Sequence, residues 1–156
     1  MRIDQRLGLS LLLVALPACA SLPRVGGNPV GGTPASFERL GNEAQLSRTI
    51  QVRAGTSRAV AWRTLTEYLS QRHTIAVQDQ NGGFAMTAWE ASSMREGVPD
   101  LRYRTRIIAH FIGEDWPQLY VRVDAGWKEG DQWQVGIDRQ LLDRVAAELQ
   151  TVLGPR

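Results

Sequence analysis

Two stretches of strict alternation, separated by one short turn, constrain this chain more than any other feature. From Arg102 to Ile112, Tyr103, Thr105, Ile107, Ala109 and Phe111 fall on one side. Arg102, Arg104, Arg106, Ile108 and His110 fall on the other. After Gly113–Pro117 the pattern resumes through Leu119, Val121, Val123, Ala125 and Trp127. A period of two sustained over such lengths belongs to β-strands with one buried face. The Gly- and Pro-bearing segment between them predicts an antiparallel hairpin. If that hairpin closes evenly, Arg106 stands opposite Asp124. Glu129-Gly130-Asp131 then turns the chain, and Gln132–Val135 predicts a further strand.

The flanking segments supply helices and a second hairpin. Thr49–Arg53 reads as a short strand. Ser57–Arg72 carries Ala61, Leu65, Tyr68 and Leu69 at helical spacing, with Thr56 or Ser57 to cap its start. Ile75 and Val77 open a strand, Asp79–Gly83 turns it, and Phe84–Glu90 returns as its partner. Residues 91–101 read as a polar loop. Asp138 caps a final helix with an apolar stripe of Leu141, Leu142, Val145, Ala146, Leu149, Val152 and Leu153, ended by Gly154 and Pro155. The predicted fold is α+β: an antiparallel sheet of four to five strands with two helices packed on one face, over residues 47–156.

The N-terminus reads as an address. Arg2 and Arg6 precede the apolar run Leu7–Leu16, about half the ~20 residues that a spanning helix needs. The run ends at Leu16-Pro17-Ala18-Cys19, and Cys19 is the only cysteine of the chain. A single thiol excludes an internal disulfide framework and a multi-thiolate zinc site. Leu16–Cys19 resembles a bacterial lipobox. That resemblance implies lipidation of Cys19 after removal of residues 1–18, and the following Ala20 is of the kind that lets a lipoprotein move to the outer membrane. Ala18-Cys19-Ala20 also fits ordinary signal cleavage, which would release a soluble periplasmic protein. Residues 22–36 hold seven Gly or Pro in 15 positions, including two copies of a Val-Gly-Gly-x-Pro unit. Such a segment buries too little to offset its ordering entropy and reads as a tether spanning roughly 20–25 Å. Residues 19–46 are therefore assigned to the lipidated cysteine and tether, with 37–46 read as linker or a short helical turn.

The hairpin arm Gly82-Gly83-Phe84-Ala85-Met86-Thr87-Ala88-Trp89, the Trp133 strand, Asp138 and the long last helix together resemble the BamC-like helix-grip domains of outer-membrane lipoproteins. The likeness covers about two-thirds of the chain. It implies a non-enzymatic accessory subunit of an envelope complex, anchored through Cys19 and facing the periplasm. Helix-grip domains in general also allow a second function: a ligand-binding module holding a lipid or hydrophobic metabolite between sheet and C-terminal helix.

Catalytic signatures are sparse. The two histidines, His73 and His110, lack a second ligand at metal-binding spacing, so no metal or other cofactor is expected. No nucleophile elbow, P-loop or dinucleotide fingerprint occurs. Glu90, Glu96 and Asp100 flank one loop, where carboxylates are ordinarily solvated. Seventeen of the 18 basic residues are arginine, yet the formal charge is only +2 and no basic run exists, so nucleic acid is not an expected partner. The prominent polar feature is the row Arg102, Arg104 and Arg106. Two readings stand for it. One is a docking face for an anionic or protein partner, with Trp116 and Trp133 as aromatic anchors. The other is a solvated face whose arginines pair across strands. Trp62, Trp89 and Trp127 fit core edges.

Overall fold

The computed structural model describes residues 35–40, 47–92, 94–95 and 98–155. The predicted export signal, Cys19 and the Val-Gly-Gly repeats lie outside the described residues, as does Glu96 of the carboxylate trio. The described residues belong to a single unit, Thr33–Arg156.

In chain order the elements are β1 (Phe37–Arg39), β2 (Ser47–Gln51), α1 (Arg58–Ser70), β3 (Ile75–Asp79), β4 (Phe84–Thr87), β5 (Glu90–Ala91), β6 (Met94–Arg95), β7 (Val98–Pro99), β8 (Tyr103–Ile112), β9 (Gln118–Glu129), β10 (Gln132–Asp138) and α2 (Arg139–Leu153). Eight strands form one antiparallel sheet, ordered β1-β10-β9-β8-β4-β3, with β2 also on β9 and β5 also on β8. The architecture is α+β, as the alternation predicts, but the sheet has eight strands rather than four to five.

The extra strands have identifiable causes. Phe37–Arg39 lies in the segment assigned to the tether, yet it pairs with Asp138, Ile137 and Gly136 at the sheet edge. Gly136 permits this. A Cβ there would run into the Glu38 carbonyl and sit 2.7 Å from the Phe37 ring. Three residues show too little periodicity to be read as a strand. The predicted loop 91–101 contains the two-stranded ribbon of β6 and β7. The predicted strand Phe84–Glu90 is split into β4 and β5. Met86 pairs with Ile108, but Glu90 pairs with Thr105, so one extra residue is accommodated between them. The Thr87 hydroxyl fills the gap by accepting the Ile107 N–H at 2.9 Å.

The long hairpin of β8 and β9 organises the core. Arg106 pairs with Asp124 and Ile107 with Val123, the even closure that the spacing of the two arms implies. Ile107, Ala109, Phe111, Leu119, Val121 and Val123 point to one face, and all are at most 2 % exposed. Both helices supply the other half of that cluster, through Leu65 and Leu69 of α1 and Leu142, Val145 and Leu149 of α2. Burying each of these side chains is worth about 1.5–3 kcal/mol. Ser57 caps α1, and Asp138 caps α2 by accepting the Leu141 N–H at 2.9 Å. The Asp138 carboxylate also accepts the hydroxyls of Tyr103 at 2.7 Å and Ser36 at 3.0 Å. The cap thereby ties α2 to β8 and to the chain entering β1. Burial, reinforced by that carboxylate, raises the Tyr103 hydroxyl above its ordinary pKa.

Candidate functional site

The face of the sheet opposite the helices carries the most unusual side-chain arrangement. Strand alternation sends Arg104, Arg106, Ile108 and His110 of β8 outward, with Tyr120, Arg122, Asp124, Gly126 and Lys128 of β9 beside them. Trp133 of β10 is opposite Lys128 and so shares this face.

Trp89 joins it through the register shift between β4 and β5. Unbroken alternation from Phe84 and Met86 would place Ala88 outward and Trp89 toward the core. The extra residue reverses this and puts Trp89 on the outer face. The sequence expectation that Trp89 seals a core edge is corrected accordingly. Its neighbour Glu90 points the other way and is clamped there: its carboxylate accepts His73 Nδ1–H at 2.9 Å and the Thr74 N–H at 2.6 Å.

The result is a layered array. The Arg104 guanidinium lies 3.8 Å from the Trp133 ring centroid and 4.7 Å from that of Trp89. Arg106 lies 4.7 Å from Trp89 as well. Cation–π contacts of this kind contribute roughly 0.5–2 kcal/mol each. Gly126 makes the room: a Cβ there would lie 3.2 Å from Trp133 and 3.3 Å from Arg104 Nε. Arg106 donates through Nε and Nη2 to one oxygen of Asp124, at 3.0 and 2.8 Å, and Arg122 Nε donates to the other. The Asp124 side chain is 5 % exposed, against 29 % and 31 % for its two arginines. Arg104 differs from both. Its Nε is buried without a hydrogen-bond partner, and none of its nitrogens reaches an acceptor among the described residues.

The predicted row therefore separates into three environments. Arg106 is ion-paired across strands, as the second reading has it. Arg102 precedes β8 and is held by Asp100, with Nε and Nη2 donating at 3.1 and 3.0 Å. Arg104 is stacked and unneutralised. Trp133 is on the array, over Arg104. Trp116 is not, and its assignment as an exposed anchor is corrected. A backbone φ of 56° turns its ring inward, stacked 4.6 Å from Phe111, and leaves it 4 % exposed. Gly83, at φ +68°, is required beneath it, since a Cβ there would lie 2.8 Å from the Trp116 ring. Sequence reasoning missed Trp89, and its only signal was the Thr-Ala-Trp end of the arm.

Of the carboxylate trio, Glu90 and Asp100 are engaged as described. Burial works to raise the Glu90 carboxyl, but the bonds from Thr74 and His73 outweigh it and hold the group below its ordinary value of 4.5. A depressed folded-state pKa stabilises the fold above the unfolded value, and that contribution is lost as pH falls through the folded value. Acid titration of unfolding should therefore show a steeper loss of stability below pH 4.5 in the wild type than in Glu90→Gln. Equal slopes would mean that the clamp contributes nothing to acid sensitivity.

The space between sheet and α2 is filled. Leu142 and Leu149 are fully buried there and Val145 is 2 % exposed. A groove of about 380 Å³ lies between α1 and α2. Tyr68 and Val152 line it together with Glu67, Arg72 and Glu148. Tyr68 donates to Glu148 at 2.9 Å across it. Among the described residues no helix is long and apolar enough to cross a membrane.

No protein-family model matches this chain, and no curated protein matches it.

Proposed function

We propose that this chain is a lipid-anchored envelope protein acting as a non-enzymatic accessory or adaptor subunit of an outer-membrane assembly or secretion complex. Its helix-grip-like domain docks a partner protein through the helix-free face of the sheet. Lipid on Cys19 holds it at the outer membrane, with the domain on the periplasmic side at the end of its tether.

The observation that carries the docking reading is the array of Trp133, Arg104, Trp89 and Arg106 on a sheet face that neither helix covers. Trp and Arg are the residue types most enriched at binding hot spots. Here they are pre-ordered by stacking and by the Asp124 pairs, so little side-chain entropy remains to be lost on association. Beside them Val135 is 54 % exposed. The anchor rests on the sequence: an apolar run of export-signal length ending at the only thiol of the chain.

The anchor is tested by Cys19→Ala. The variant should leave the membrane fraction and label with no fatty acid, while a tagged wild-type chain captures a reproducible set of envelope proteins after in-cell crosslinking. Unchanged fractionation of Cys19→Ala would refute the anchor. A wild-type chain that always purifies alone would refute the adaptor role.

A further inference from the structure

We infer that Arg104, held between Trp89 and Trp133, is a receptor for a carboxylate, supplied by an acidic side chain in an extended segment of a partner protein. This deepens the docking reading and rests on it.

Outward positions of β8 and β9 carry Arg104, Arg106, Arg122 and Lys128 against one carboxylate, Asp124. That carboxylate is already held by Arg106 and Arg122. An acidic segment is therefore the complementary occupant.

Geometry narrows the chemistry. The central carbon of the Arg104 guanidinium lies over the Trp133 and Trp89 rings, 3.8 and 4.7 Å from their centroids. Its Nε is buried without a hydrogen-bond partner and the residue is half-buried, so the two terminal nitrogens are the donors left for a ligand. A carboxylate is planar and pairs with the fork they form in its own plane. The indoles also exclude water, which strengthens a charge-assisted bond formed beside them. Val135 is paired with Gly126, directly beside Arg104, and offers apolar surface on the same face. The segment that fits therefore presents an acidic and an apolar residue two positions apart, on the one side that faces the sheet.

The test uses the full chain, ¹⁵N-labelled, in detergent micelles, with the capped hexapeptide Gly-Glu-Ser-Val-Ser-Gly as probe. Its Gln counterpart and vesicles of phosphatidylglycerol are the comparison ligands. The acidic peptide should shift the indole N–H resonances of Trp89 and Trp133 and leave those of the buried Trp62 and Trp116 in place. Arg104→Gln should weaken binding by about tenfold or more, and Arg104→Lys by about three- to tenfold. Should Arg104→Gln fail to fold, Arg104→Lys decides.

Equal binding of the Gln peptide, or unchanged binding by both variants, would overturn the inference. So would a response to phosphatidylglycerol vesicles with none to the peptide, which would mark a phosphate site. The two levels separate cleanly. If in-cell crosslinking still captures a partner with Arg104→Gln, the carboxylate receptor fails and docking stands. If the peptide binds through Arg104 and no partner is ever captured, docking fails and the receptor stands.

Discussion

Replacing Asp138 by alanine is expected to lower the stability of the domain by about 2–4 kcal/mol. Loss of an N-cap costs about 1 kcal/mol. The larger part comes from Tyr103, which is 1 % exposed and donates its hydroxyl to the Asp138 carboxylate. With the carboxylate gone that buried donor has no partner, at a cost of about 1–3 kcal/mol. Ser36 loses its acceptor too, which frees the entry to β1. Asp138→Asn keeps a good cap and an acceptor, so it should cost only about 1 kcal/mol. Urea unfolding of the three proteins measures this. An alanine variant as stable as the asparagine one would mean that water reaches the Tyr103 hydroxyl.

The second large effect is at Asp124. Alanine there removes the counter-charge from Arg106 and Arg122 together and leaves two guanidiniums facing each other on one strand face. Breaking a fully buried pair costs about 3–5 kcal/mol. Both arginines reach solvent, so about 2 kcal/mol is the better expectation here. The functional loss should exceed the structural one. Arg106 fixes Trp89 from one side, so its release loosens the slot around Arg104. Partner capture should fall about tenfold or more, with a red-shifted tryptophan emission. Asp124→Asn keeps the acceptor without the charge and should fall between the two. Wild-type capture by a folded Asp124→Ala protein would mean that the array does not need its electrostatic brace.

The sequence made the hairpin of β8 and β9 legible down to its register, because alternation over two long arms leaves one even closure. Asp138 was equally readable, being a capping residue directly before a helical stripe. Trp89 was not. Its facing depends on the single extra residue between Met86 and Glu90, and nothing local in Thr87-Ala88-Trp89 announces that shift. Trp116 was misplaced for a similar reason. A non-glycine residue at positive φ is rare, so a Trp in a turn reads as exposed when its backbone in fact folds it inward. The arginine row was visible, but its division into two paired cations and one stacked one depends on cross-strand partners. Strand β1 escaped because three residues are too few for a period, and its edge pairing depends on Gly136, 97 residues beyond its partner Arg39.

The central claim is that partners meet the helix-free face of the sheet. The most direct measurement is photo-crosslinking in cells, from p-benzoylphenylalanine placed singly in the full chain at Val135, Tyr120 or Val152. Val135 and Tyr120 lie on the outer sheet face, and Val152 borders the groove between α1 and α2. A discrete adduct to an envelope protein from Val135 and Tyr120, and none from Val152, is the predicted result. Adducts from Val152 alone, or from no position, would contradict it.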